Sequence, residues 1–292
     1  MSVVGNENNL GAPPFIASVR HPIGMRGARP PHLILGVKHG GLGDHLQLST
    51  IPELAHNQEK LPTYFFRGSD FRNEEIRELV WGSNPFVLGE TDESPNAGSM
   101  IIEPKLNFTG NWISNWEYLH GLKPEGSFPK IYYGPSTITG LADVVVVDLT
   151  SITLNHQATG YGYNPGTVLE RVQQLASIDP GVTFAQVCFT RNLNKHGRIY
   201  DVRIPGLEQL NVESLTHYAD VLASVKGLIG LHSGAIGLAS SVRGKGNTPY
   251  VKCLMSNNSY FHPRSQLGKV HMYPNVEYEP LGVSRRFQSR EG

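Results

Sequence analysis

The sequence predicts an α/β protein built as two successive lobes, and three observations point to it. Short apolar runs alternate with helix-like stretches from His32 to about residue 135, and again from Asp143 onward. A turn-rich segment, "YYGPSTITGLA" (Tyr132 to Ala142), lies between the two stretches. Each half also carries a glycine-containing turn where a strand passes into a helix. The length of 292 residues is long for one core and comfortable for two. The expected organisation is an N-terminal arm over 1–30, a first lobe over 31–138 and a second over 139–292.

The first lobe opens on "HLILGV", a nearly continuous apolar run that reads as a buried parallel strand. "DHLQLSTIPELAHNQ" reads as a helix in which Pro52 marks a kink or a second start. "PTYFFRG" is a second strand, and "NEEIRELVWG" a helix with Ile76, Leu79 and Val80 on one side and Gly82 at its stop. "PFVLG" and "SMIIEP" are short strand candidates, and "NWISNWEYLHGL" is an aromatic-rich helix. In the second lobe "DVVVVDLTS" is the strongest strand signal of the chain. "PGTVLERVQQLAS" is a helix, "TFAQVCFT" a strand, and "NVESLTHYADVLASV" a helix capped by Asn211 or Ser214. "KGLIGLHSG" is a strand ending in a turn, "AIGLASSVRG" a helix, and "PYVKCLMS" a further strand. No clear period follows residue 256.

Composition excludes several classes. Lys+Arg and Asp+Glu are 25 each, so no overall basic field argues for nucleic acid. Cys188 and Cys253 both sit in apolar strand-like runs and read as buried free thiols, with no disulfide framework or zinc site. No apolar stretch reaches the roughly 18–20 residues of a membrane span, and the N-terminus shows no basic region followed by an apolar core. The expectation is a cytoplasmic protein.

Two turns carry the chemistry. "KHGGLGD" (Lys38 to Asp44) passes from a strand into a helix N-terminus, where backbone N–H groups and the helix dipole favour an anion. Gly40, Gly41 and Gly43 would let ligand oxygens approach, with Lys38 and His39 able to pair with phosphate. The turn lacks both the G-x-G-x-x-G spacing and a following G-K-[ST]. Asp44, an acid beside a phosphate-friendly turn, suits a base acting on a neutral hydroxyl, although a simple helix cap is its plainer reading. The second turn is "HSGA", with the Ser233 hydroxyl followed by the amides of Gly234 and Ala235 and His232 as a further donor.

These residues carry a resemblance. "KHGGLGD" looks like the Lys-x-Gly-Gly-Leu-Gly-Asp turn of glycogen and starch synthases. "GGLGDHLQLSTIPEL" resembles the opening of the lipopolysaccharide heptosyltransferase-like (family 9-type) enzymes, where a Gly-Asp pair begins the first helix and a proline follows. "YADVLASVKGLIGLHSGAIGLASSVRG" is similar to that family's C-terminal signature, Asp-Ser/Thr-Gly-x-x-His-x-Ala. Ser233, Gly234 and Ala239 match it, while His232 replaces the Asp and Gly237 the His. Both families are GT-B glycosyltransferases, so the resemblance implies two Rossmann-like lobes with a cleft between them. It also implies inverting transfer of a sugar from a nucleotide-diphosphate sugar to an acceptor hydroxyl. Asp44 would be the general base, the first lobe would take the acceptor and the second the donor. The donor is a substrate, and no cofactor is expected.

No D-x-D tract occurs, which fits a metal-independent reaction with fixed dipoles and cations stabilising the leaving diphosphate. Arg191 and Lys195, just beyond the strand "TFAQVCFT", are candidate cations for it. His39 and Trp116 are candidates on the acceptor side, although Trp112 and Trp116 share a helical face that suits a core. The acceptor is a glycan or another hydroxyl compound, with a modified DNA base the least favoured. A nucleotide-sugar 2-epimerase and a non-catalytic sugar-nucleotide or glycan binder are the alternatives. The first lacks a carboxylate cluster beyond Asp44, and the second is favoured by His232 and Gly237.

Overall fold

The computed structural model describes residues 31–95, 110–125, 128–150, 165–178, 181–190, 203–244, 250–255, 270–271 and 273–281. The first lobe runs β1 (Leu33–Leu35), α1 (Leu42–Leu46), α2 (Ile51–Glu59), β2 (Thr63–Phe66), α3 (Glu74–Arg77), β3 (Val87–Thr91), β4 (Gly110–Asn111) and α4 (Trp112–Leu119). α3 continues into a π-helical turn at Glu78–Gly82. β1, β2 and β3 form a parallel sheet in that order. The helix expected after β1 is two helices, because Pro52 stands in the first turn of α2, where its missing N–H has no intrahelical acceptor to lose.

The second lobe runs β5 (Val144–Asp148), α5 (Pro165–Ile178), β6 (Thr183–Phe189), β7 (Glu208–Val212), α6 (Leu215–Ser224), β8 (Gly227–Leu231), α7 (Gly234–Gly244), β9 (Tyr250–Met255), β10 (Val270–His271) and β11 (Glu277–Pro280). Its six-stranded sheet has the order β11-β9-β8-β5-β6-β7, parallel throughout. The chain leaves β5 toward one edge and returns beside it as β8. The switch in strand order therefore falls between β5 and β8, where ligands bind in open parallel sheets. The fold is two α/β lobes with parallel sheets, as expected.

Three elements differ from the sequence reading. Asn211 lies in strand β7, and the following helix starts at Ser214, whose hydroxyl accepts from His217 N at 3.0 Å. β7 was hidden because "EQLNV" is half exposed at the sheet edge and lacks an apolar run. β10 and β11 fall in the stretch without period; β10 pairs with β4 of the first lobe, and β11 completes the second sheet. The strand candidate "SMIIEP" lies outside the described residues.

One apolar cluster crosses between the lobes. It runs from Leu35, Leu46 and Leu54 to Tyr218, Leu222, Ile236 and Leu238, because α1 packs on α7 and α3 on α6. A second cluster, with Val147, Val168, Val172 and Leu254, fills the far face of the larger sheet under α5. Cys188 and Cys253 are buried and not joined in a disulfide. No helix among the described residues is long and apolar enough to cross a membrane.

Candidate functional site

The two turns singled out in the sequence meet. Gly43, at the start of α1, and Gly234, at the start of α7, touch across the lobe junction. A Cβ on Gly234 would stand 2.9 Å from Gly43 N and 2.8 Å from Leu42 Cβ. Glycine is needed at 234 because backbone meets backbone there, whereas a Cβ on Gly43 would come no nearer than 3.4 Å, to Gly234 Cα. The contact lies at the C-terminal ends of β1 and β8, so the carboxylate of one lobe and the serine turn of the other share one locality.

The Lys38–Asp44 turn is filled by protein. A Cβ on Gly40 would lie 2.8 Å from Arg72 N and 2.7 Å from Asp70 Oδ2. The Gly41 N–H donates to Asp44 Oδ2 at 3.1 Å, the reciprocal half of a capping box. Gly43 faces Gly234. α1 is only five residues long, so its dipole is small. Gly40 thus lies against Asp70 and Arg72, Gly41 against Asp44 and Arg72, and Gly43 against Gly234, so each glycine of the expected phosphate cradle has a close protein neighbour. Lys38 and His39 are exposed at its rim.

Asp44 stands at the third position of α1, partly buried. Burial pushes its pKa above 3.8, opposed by the Arg72 charge, the Gly41 N–H and His39. A carboxylate with raised proton affinity is a better base toward an alcohol. Arg72, which no sequence pattern marked, comes from the loop after β2. A Cβ on Gly41 would be 3.3 Å from its Nη1.

On the second lobe, His232 and Ser233 follow β8 directly. Burial lowers the His232 pKa to about 4, so the imidazole is neutral and offers an N–H rather than a charge. Ser233 Oγ is buried and has no hydrogen-bond partner among the described residues. The first amides of α7, Gly234 and Ala235, lack intrahelical acceptors by helix geometry, and α7 is eleven residues long. Gly237 is filled by Tyr273, whose hydroxyl would lie 2.8 Å from a Cβ there. The Tyr273 side chain is fully buried and its hydroxyl likewise has no described partner. Two unpartnered hydroxyls therefore flank α7, and each is costly to leave unmade. Tyr273 was invisible to pattern because it lies in the stretch without period.

Trp116, the acceptor-side candidate, is a buried side chain. It is 4% exposed, and its Nε1 donates to Gln47 Oε1 at 3.0 Å, supporting the link between α1 and α2. Its helical-face spacing was core spacing. Arg191 and Lys195 lie outside the described residues. Among the described residues no group of three or more His, Cys, Asp or Glu side chains is arranged to hold a metal ion.

A two-lobed α/β arrangement with opposed turns at one junction is the GT-B class of fold. Solved structures share it. The iron-containing dodecameric glycosyltransferase TibC from enterotoxigenic E. coli H10407 aligns with 83% of this chain and 62% of its own, at TM-score 0.53 and 14% identity. TibC in complex with ADP-D-beta-D-heptose, described as a heptosyltransferase, aligns at TM-score 0.54 and 15% identity over 86% of this chain and 64% of its own. This chain thus spans less than two thirds of the TibC length. The E. coli ADP-heptose lipopolysaccharide heptosyltransferase II reaches TM-score 0.48 at 10% identity, over 85% of this chain and 93% of its own. No protein-family model matches the chain, and no curated protein matches it in sequence.

Proposed function

We propose that this chain is an inverting glycosyltransferase, moving a sugar from a nucleotide-diphosphate sugar to an acceptor hydroxyl without a catalytic metal. The observation that carries the reading is the contact of Gly43 with Gly234, which brings Asp44 beside the Ser233 turn. Asp44 takes the acceptor proton as the acceptor oxygen bonds to the anomeric carbon. The bond from that carbon to the diphosphate oxygen breaks, and its electron pair leaves with the nucleoside diphosphate. The diphosphate is received by the α7 amides, the Ser233 hydroxyl and the neutral His232. Arg72 supplies a positive charge that acts on Asp44, with Lys38 and His39 at the rim and Arg191 and Lys195 as further candidates for the leaving group. The absence of a D-x-D tract supports metal independence. The GT-B fold supports a nucleotide-sugar donor, and the acceptor is a glycan or other hydroxyl compound.

A thermal-shift screen of ADP, UDP and GDP and their sugars identifies the donor base. With the best donor, nucleoside diphosphate release is then followed for wild type and Asp44→Asn. The expected result is retained nucleotide binding with turnover lowered about 100-fold or more, the scale of general-base catalysis. Unchanged turnover removes Asp44 from the reaction. Binding without turnover in the wild type favours instead a sugar-nucleotide binder, a reading that the Tyr273-filled position at Gly237 supports.

A further inference from the structure

We propose that His45 is a positioning residue: it ties the loop after β2 to α1 and so keeps the Arg72 guanidinium beside Gly41, in the neighbourhood of the Asp44 carboxylate. The proposal rests on the reading of Asp44 as general base, and extends it to a residue with no contact to substrate.

His45 is fully buried, directly after Asp44. A buried imidazole is tolerable when both nitrogens are satisfied. Trp81 Nε1 donates to His45 Nδ1 at 2.9 Å. An indole N–H can only donate, so Nδ1 is the acceptor and Nε2 carries the proton. Nε2 then donates to the Asp70 carbonyl at 2.9 Å. Phe71 stacks on the same ring, with centroids 4.4 Å apart and planes 12° from parallel. One imidazole thus grips both residues that precede Arg72. The loop is further pinned by Asp70 N to Val37 O at 3.0 Å and Arg72 N to Gly40 O at 2.8 Å. The Arg72 side chain emerges from this clamp over Gly41, the residue whose N–H binds Asp44.

The groups facing Asp44 come from three places: Arg72 from the loop, His39 from the turn itself, and Tyr273 from the segment after β10. Only Arg72 hangs on His45. Loosening the clamp therefore withdraws one positive charge and leaves the other two groups in place. The neutral state of His45 suits this role, since burial lowers its pKa to about 4 and its Nδ1 stays an acceptor across the physiological range.

The test is a side-chain carboxyl NMR titration of Asp44 in the full chain, with Asp44→Asn to assign the signal. His45→Phe keeps the stacked ring and removes both hydrogen bonds. It is expected to raise the Asp44 pKa by at least about half a unit, a threefold change in proton affinity. His45→Gln, which retains an acceptor and a donor, is expected to recover more than half of that shift. Arg72→Leu alone should reproduce it. Where His45→Phe does not fold, Trp81→Phe removes the indole donor and serves in its place. In turnover assays kcat is expected to fall with the KM for the sugar nucleotide within about twofold, as for loss of an interaction made in the transition state. A folded variant whose Asp44 titrates as in wild type overturns the proposal, and so does Arg72→Leu without a shift. Should Asp44→Asn retain full turnover, the transferase reading fails, while the titration still decides the role of His45.

Discussion

Asp44 illustrates how the side chain proposed as the base costs stability. Its pKa in the folded chain is raised, so the native state holds the proton more tightly than the unfolded one. Stability therefore falls as pH rises from the ordinary 3.8 through the raised value, and stays lower above it. Asp44→Asn keeps an acceptor for the Gly41 N–H and removes the buried charge. The variant is expected to melt higher than wild type at pH 7, with the difference closing below about pH 3.8, as followed by thermal melts across pH. Gly237 and Tyr273 make a second case. Alanine suits a helix better than glycine by about 1 kcal/mol, but here its Cβ would press on a hydroxyl that full burial prevents from swinging away. Gly237→Ala is expected to destabilise by roughly 1–3 kcal/mol in denaturant unfolding. Tyr273→Phe, which deletes an unpartnered buried hydroxyl, is expected to be neutral or stabilising, and to relieve part of the Gly237→Ala loss in the double variant.

Elements tell how far the sequence could be read. β1, β5 and β8 were legible because strands buried on both faces are apolar runs, and all three are buried at every position. The break between α1 and α2 was legible through Pro52, and the Asp44 and Ser233 turns through their glycines. β7 and β11 were not, since edge strands carry polar residues on their open sides. Arg72 and Tyr273 were missed for a different reason. Each reaches the site from a connecting segment whose position is set by tertiary contacts, and no local period encodes that. The junction depends on one such contact: Glu75 of α3 accepts from Leu215 N at 2.6 Å, so a first-lobe carboxylate caps the second-lobe helix α6. Glu75→Ala should cost about 1–2 kcal/mol in chemical denaturation, and Glu75→Gln less, because the amide oxygen still accepts while the charge at the dipole is lost. A cost of zero for both would mean that α6 is held by Ser214 and packing alone.

The lobes of this molecule are joined by more than a linker. The apolar cluster passes without interruption from Leu35 and Leu46 into Tyr218 and Ile236. Polar ties run alongside it, with Tyr133 Oη and Ser136 N both donating to Asp220 Oδ1, at 2.9 and 2.7 Å, and Ile138 N donating to Ser224 Oγ at 2.7 Å. Neither lobe can unfold without exposing the other's half of that cluster, so the lobes should melt together. Scanning calorimetry at neutral pH is expected to show one transition with calorimetric and van't Hoff enthalpies in agreement. Two separated transitions would mean that the shared core is weaker than the cores within each lobe. Acid should act on the whole unit. Two buried histidines, His45 and His120, and the half-buried His232 have lowered pKa values, because loss of water around the ring disfavours the imidazolium. The unfolded chain takes up their protons near pH 6.5 while the folded chain does not, so stability is present above that pH and is lost on acidification. For His45 and His232 the loss continues to about pH 4 and amounts to about 1.4 kcal/mol per histidine per pH unit. Asp44 and Glu117, both with raised pKa values, act in the opposite sense as their carboxylates protonate. The single transition is therefore expected to move to lower temperature between pH 6.5 and pH 4, still as one unit. A midpoint that held constant over that range would place these imidazoles in contact with solvent rather than within the core.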